Sequence, residues 1–200
     1  MKLPSFLKFL KPDKSHPLSI DPDEFIPTLW EDDFCQIEIV PCENKEFIIT
    51  QSQGISDLAE KSKSGLGFSE TFERGSMPFP TLSKEIRADY LEYFFSGFEL
   101  PKAKQIRYET SEIIDCRNGK TKAFGYSNFT IFFEKEDEFA KNIWLSVGLF
   151  VSVKQFELIK SVLYSLGEEN ELVLIDWNSL ELTDLRDRRQ IDEYLSGHRK

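Results

Sequence analysis

Hydrophobic residues recur along this chain with two different periods. "CQIEIV" alternates, with Cys35, Ile37 and Ile39 on one side and Gln36 and Glu38 on the other, which predicts a strand buried on one face. Over 44–62, Phe47, Gln51, Ile55, Leu58 and Ala59 recur at helical spacing. "EFIIT" alone would suit a strand, and the length of the run favours a helix. "SKSGLG" interrupts it, "GFSETFERG" predicts a short strand, and a loop with Pro78 and Pro80 follows. Ser83 is a good N-cap for "SKEIRADYLEYFFSG", whose apolar stripe is Ile86, Tyr90, Tyr93 and Phe94, with Gly97 past its end.

From residue 105 the pattern becomes mostly β: "QIRYETSEIIDC", "TKAFGYSN", "FTIFFEKE" and "NIWLSVGLFVSV". Asn118-Gly119 predicts a hairpin turn, because both central positions need positive φ. Lys154 to Leu166 predicts a helix with Phe156, Ile159, Val162 and Leu163 on one face and Gly167 as its stop. "ELVLIDWNSLELTDL" predicts two strands around Trp177-Asn178-Ser179. The short helix "DRRQIDEYLSG" follows, begun near Asp184 or Asp187, where an acid suits the helix dipole, and ended by Gly197. No repeat and no flexible linker divides these elements. They predict an α+β fold, a mainly antiparallel sheet with three to four helices packed chiefly on one face.

Pro12, Pro17, Pro22 and Pro27 punctuate the region before this pattern and predict irregular structure over 11–33. The chain therefore divides into an irregular N-terminal arm and lead-in, 1–33, and a single α+β domain, 34–200. Within the arm, Leu3, Phe6, Leu7 and Leu10 share a helical face, with Lys2, Lys8, Lys11 and Lys14 elsewhere. Such a segment lies on a membrane surface or, more often, is a terminal arm that docks on its own fold or frays. No small-residue cleavage site follows it, so it is read as retained.

Composition narrows the function classes. Apolar residues at 40%, with 18 Phe, supply a real core and argue against disorder. The net charge of −10 repels phosphate backbones and anionic membranes, so nucleic acid is not the expected partner. The same charge attracts a basic protein. No apolar run reaches the roughly 20 residues of a membrane span. Cys35, Cys42 and Cys116 are odd in number and form no C-x-x-C, which points to a reducing, cytoplasmic compartment. The oligomeric state is not legible.

Candidate chemistry is sparse. His16 and His198 lie in the lead-in and near the chain's end, poorly placed for a triad or a zinc site. No P-loop or G-x-G-x-x-G is present, and "SGLG" reads as a turn, so no cofactor and no metal is expected. The acids cluster at Asp21, Asp23 and Glu24, at Glu31, Asp32 and Asp33, at Glu134, Glu136, Asp137 and Glu138, and at Glu168, Glu169 and Glu171. Most flank strand ends, where charge is solvated. A carboxylate-based or metal-assisted hydrolase is one alternative, requiring distant acids to converge in a deep pocket. A small-molecule-binding regulatory module is another, requiring an apolar cavity of roughly 300 Å³ or more.

The stretch Asp21 to Phe34 holds six carboxylates and no basic residue around Phe25, Leu29 and Trp30. Its prolines argue against a preformed catalytic site. Trp30 reads as a binding anchor, in competition with a role plugging a sheet edge, and Glu31, Asp32 and Asp33 as the attracting charge. Trp144 and Trp177 are the further binding candidates. These features describe a small acidic interaction protein rather than an enzyme. By physical analogy it would act as a bacterial immunity- or antitoxin-like inhibitor covering a basic partner.

Overall fold

The computed structural model describes residues 25–61, 63–64, 67–68, 72–109, 112–116, 119–150 and 152–199. The arm's apolar face, the acids at 21–24, His16 and Asn118 lie outside them. Among the described residues the elements are β1 (Thr28–Leu29), β2 (Ile37–Pro41), α1 (Lys45–Lys61), β3 (Lys63–Ser64), β4 (Gly67–Phe68), α2 (Ala88–Gly97), β5 (Gln105–Tyr108) and β6 (Glu112–Asp115). They continue with β7 (Thr121–Tyr126), β8 (Phe129–Glu136), β9 (Phe139–Val147), α3 (Val153–Asn170), β10 (Leu172–Asp176), β11 (Glu181–Asp184) and α4 (Arg188–Ser196). The fold is α+β, as the periodicity predicts. Its main sheet is antiparallel in the order β11-β10-β2-β9-β8-β7. A smaller mixed sheet runs β1-β5-β6, with β1 parallel to β5.

Three helices, α2, α3 and α4, cover one face of the main sheet. Phe124, Phe129, Ile131 and Phe133 from β7 and β8 share one apolar cluster there with Phe94 and Phe95 of α2, with Ile39, Ile143 and Leu174 of β2, β9 and β10, and with Phe156, Ile159 and Leu163 of α3. Several phenylalanine rings pack edge-on or tilted within this layer: Phe94 and Phe95 stand 5.4 Å apart at 78°, and Phe95 and Phe124 5.2 Å apart at 40°, while Phe124 and Phe133 lie near-parallel at 6.4 Å. Such offset contacts suit the quadrupoles of the rings and add to the burial of their large apolar surface.

The opposite face is shared. Under the small sheet, Ala123, Phe132 and Trp144 meet Leu29, Ala103, Ile106 and Cys116. At the other end α1 brings Ile48 and Ile55 onto Val40, Val173 and Ile175. β2 is therefore central and covered on both sides, so the half-buried strand expected from its alternation is corrected: Glu38 and Val40 face a second layer rather than water.

Several boundaries depart from the local pattern for identifiable reasons. Ser83 caps no helix; its hydroxyl donates to Pro80 O, within a short 3-10 turn. Glu85 is left-handed (φ 49°), and the following residues pair with β9 through Ala140 N–H to Ile86 O and Ala88 N–H to Glu138 O. That pairing keeps Ile86 and Arg87 extended and delays α2 to Ala88. The stripe expected on α2 also shifts: Leu91, Phe94 and Phe95 are buried, and Tyr93 is 81% exposed. Gly167 does not stop α3, which runs on to Asn170. A Cβ at Gly167 would stand 2.3 Å from Leu185 Cβ, so the glycine serves the close approach of α3 to the chain after β11. The strands flanking Asn118-Gly119 do not form a hairpin with each other: β6 pairs with β5 and β7 with β8. The Ser152 and Asp187 side chains cap α3 and α4, the latter as expected.

Candidate functional site

The chain enters the described fold along β1, and the candidate corner forms where β1 stops. Leu29 points inward and is 2% exposed, and its carbonyl accepts from Glu109 N–H at 3.0 Å. Strand alternation then turns Trp30 outward, leaving it 45% exposed. Glu31, Asp32 and Asp33 form one 3-10 turn directly after it, closed by Asp33 N–H to Trp30 O and Phe34 N–H to Glu31 O. Phe34 anchors the turn from below, its ring edge-on to Trp144 at 4.9 Å. Among the described residues, no lysine or arginine forms an ion pair with Glu31, Asp32 or Asp33. Burial, with the charges of Glu31 and Glu109 beside it, pushes the Tyr108 hydroxyl up to about 12. Trp30 and its three acids thus form an exposed, negatively charged corner on a buried footing.

The other two tryptophans are placed differently. Trp144 is 1% exposed and stacks on Phe132 at 5.3 Å, inside the layer beneath the small sheet. A side chain this enclosed offers a partner no surface. Trp177 is buried at the edge of a cleft of about 280 Å³ lined by Glu38, Arg74, Gly75, Ser76, Met77 and Trp177. Its backbone N–H donates to Gln36 O at 2.8 Å, and its indole Nε1–H donates to Glu38 Oε1 at 2.8 Å. The turn at 34–36 therefore joins the acidic corner to this cleft.

Glu38 and Arg74 were not among the residues singled out by sequence. The available signal was Glu38 itself, an acid set in the apolar run "IEIV". Its partner Trp177 lies 139 positions away, which no local pattern reports. Burial raises the Glu38 carboxyl above its ordinary value; the Trp177 hydrogen bond and the Arg74 charge pull the other way without cancelling it. Cys35, left-handed at φ 54°, is half-buried, and desolvation followed by the Glu38 charge pushes its thiol up. Burial likewise pushes Cys116 up to about 12. Neither thiol carries appreciable thiolate at neutral pH, so neither is an activated nucleophile.

The other acidic runs are engaged elsewhere. Glu136 pairs with Lys141 at 2.7 Å, Glu138 with Arg87 at 2.7 Å and Glu171 with Lys84 at 3.2 Å. Glu134 accepts from Asn142 at 2.9 Å, and Glu169 accepts from the Tyr90 hydroxyl at 2.6 Å. Among the described residues, no three histidine, cysteine, aspartate or glutamate side chains converge to hold a metal ion. Among the described residues, Glu38 is the one carboxylate lining its cleft. A second hollow of about 330 Å³ lies beside Tyr126, Ser152, Lys154, Gln155 and Leu158. Among the described residues, no helix is long and apolar enough to cross a membrane. Compared with known proteins, the chain matches no family model, no curated protein and no solved structure.

Proposed function

We propose that this protein is a small acidic interaction module of the cytoplasm that docks a basic protein through its Trp30 corner. The observation that carries this is the exposed indole followed at once by three acids free of ion pairs with lysine or arginine among the described residues. An exposed aromatic on a fixed base supplies apolar contact at little entropic cost, and unpaired acids beside it steer a cationic partner. Binding energy concentrates in such an anchor, whereas rim charges set the encounter rate. The overall charge of −10 acts in the same direction over longer range. Trp144 has no part in this docking face, and Trp177 enters it only through the adjoining cleft. An inhibitor of immunity or antitoxin type, covering a basic active cleft, is the concrete form this function would take.

The test is affinity capture with three baits: wild type, Trp30→Ala and the triple variant Glu31→Lys/Asp32→Lys/Asp33→Lys. Each is run at low salt and again at roughly 0.3 M, where surface charges are largely screened. A basic protein should be enriched by the wild type at low salt and lost with both variants. Identical recovery by all three baits would remove the corner from the function.

A further inference from the structure

Arg74 occupies the Glu38–Trp177 cleft, and it occupies it poorly. Its Cζ lies 4.6 Å from the centroid of the Trp177 ring, a guanidinium–indole stack. Its Nη1 stands 3.6 Å from Glu38 Oε1, close enough for charge attraction and too far for a hydrogen bond. That Nη1 is buried and has no acceptor among the described residues. Glu38 is equally underused. It accepts one hydrogen bond among the described residues, from the Trp177 indole, although an ionised carboxylate has room for about four.

Host and occupant are held with different firmness. Glu38 sits on β2 opposite Ile175 of β10 and Trp144 of β9, at the middle of the main sheet. Trp177 follows β10 directly and is tied to Gln36. Arg74 comes instead from an irregular run between residue 72 and the 3-10 turn at Thr81. This run is tethered by Gly75 N–H to the Gln51 side chain and, beyond the cleft, by paired hydrogen bonds between Asn44 and Phe79. The host is part of the sheet, and the occupant is laid over it.

An indole face beside a half-buried carboxylate is chemistry for a guanidinium: the flat cation stacks while its N–H groups reach the carboxylate oxygens. A lysine ammonium matches this geometry less well, being a compact and strongly hydrated charge. An anion would meet Glu38 on entry. We infer that the Glu38–Trp177 cleft is a guanidinium-binding site, capped by Arg74 in the free protein and taken over by an arginine of the basic partner on docking. This rests on the function proposed above and specifies it, because it selects an arginine-bearing partner over a lysine-rich one. The raised carboxyl of Glu38 agrees, since it marks an ionised form that Arg74 stabilises incompletely.

The experiment uses the full chain and small probes, N-acetyl-arginine amide against N-acetyl-lysine amide. The readout is the Trp177 indole N–H resonance, assigned by its loss in Trp177→Phe. In Arg74→Ala the arginine probe should produce a saturable shift about tenfold tighter than in wild type and about tenfold tighter than the lysine probe, as a lost competitor and a charge-assisted contact require. Glu38→Gln, placed on Arg74→Ala, should abolish it. Arg74→Gln, which keeps the side chain's bulk, serves if the alanine variant is not folded. No saturable shift in a folded Arg74 variant, equal response to both probes, or binding that survives Glu38→Gln would overturn the site. The Lys triple variant at 31–33 should still bind the arginine probe when introduced with Arg74→Ala. A failure of the docking corner and a failure of the guanidinium site therefore give different results.

Discussion

The two faces of the main sheet solve the burial problem in different ways. Under α2, α3 and α4 the layer is built of Phe, Leu and Ile, with Tyr194 near its margin donating to Asp176 at 3.3 Å. On the other face the same strands present Glu38, Glu134 and Asn142, and tryptophans whose indole N–H groups need acceptors. Trp177 finds one in Glu38, whereas Trp144 Nε1 is buried without an acceptor among the described residues. A buried polar group costs free energy unless it is paired, and an apolar one does not. The helix-covered face thus concentrates stability. The polar face carries costs that make sense where another molecule binds.

That contrast can be broken by mutation. Phe95→Ala, which empties the apolar layer, should cost about 3–5 kcal/mol in urea unfolding. Trp144→Phe, on the polar face, should stay within about 1 kcal/mol of wild type, because removing an unsatisfied donor offsets the smaller ring. Equal losses would erase the distinction between the faces. Next in size is Gly167→Ala. Its new methyl meets Leu185 backbone at 2.6 Å, and overpacking should cost about 2 kcal/mol despite alanine's better helix propensity. A neutral result would mean that α3 and the Leu185 segment are not locked together. Asp187→Ala removes the cap of α4 and should cost about 1 kcal/mol by the same assay.

The smallest effects are those of pH, and their signs separate two carboxylates. Glu38 has its folded pKa raised by burial. Its contribution is present below the unfolded carboxyl's pKa and is lost as pH rises through the folded value. Asp184 runs the other way. Burial opposes its ionisation, but hydrogen bonds from Arg186 and Lys45 overcome this and hold it well below the usual range. Its contribution is present above the unfolded pKa and is lost as pH falls through the folded one. Glu38→Gln should therefore gain on wild type in thermal stability as pH rises above about 4, while Asp184→Asn should lie below wild type by a constant margin above about pH 4 and close that gap as pH falls below it. Glu38→Gln running parallel to wild type above about pH 4 would contradict the first assignment, and Asp184→Asn running parallel to it below about pH 4 would contradict the second.

What the sequence made legible follows the range of the interactions. The helix over 45–61, the two strands around Trp177-Asn178-Ser179 and the Asp187 cap are fixed by near neighbours, and they stand where periodicity and capping put them. Gly167 carries an ordinary helix-stop signal, which the distant Leu185 overrides by needing the space. Ser83 lost its capping role to the pairing of Ile86 and Ala88 with β9, another contact no local window contains. The site divides along the same line. Trp30 and its three acids are contiguous and could be read directly. The cleft assembles Glu38, Arg74 and Trp177 from three separate segments, and only the fold brings them together.

The central claim is that partner binding belongs to the polar face and its acidic corner. Hydrogen–deuterium exchange, with and without the basic protein recovered by capture, tests it most directly. Added protection should fall on residues 28–38 and 72–77 and leave the outer surfaces of α3 and α4 unchanged. Protection confined to α3 and α4, with residues 28–38 exchanging as in the free protein, would contradict it.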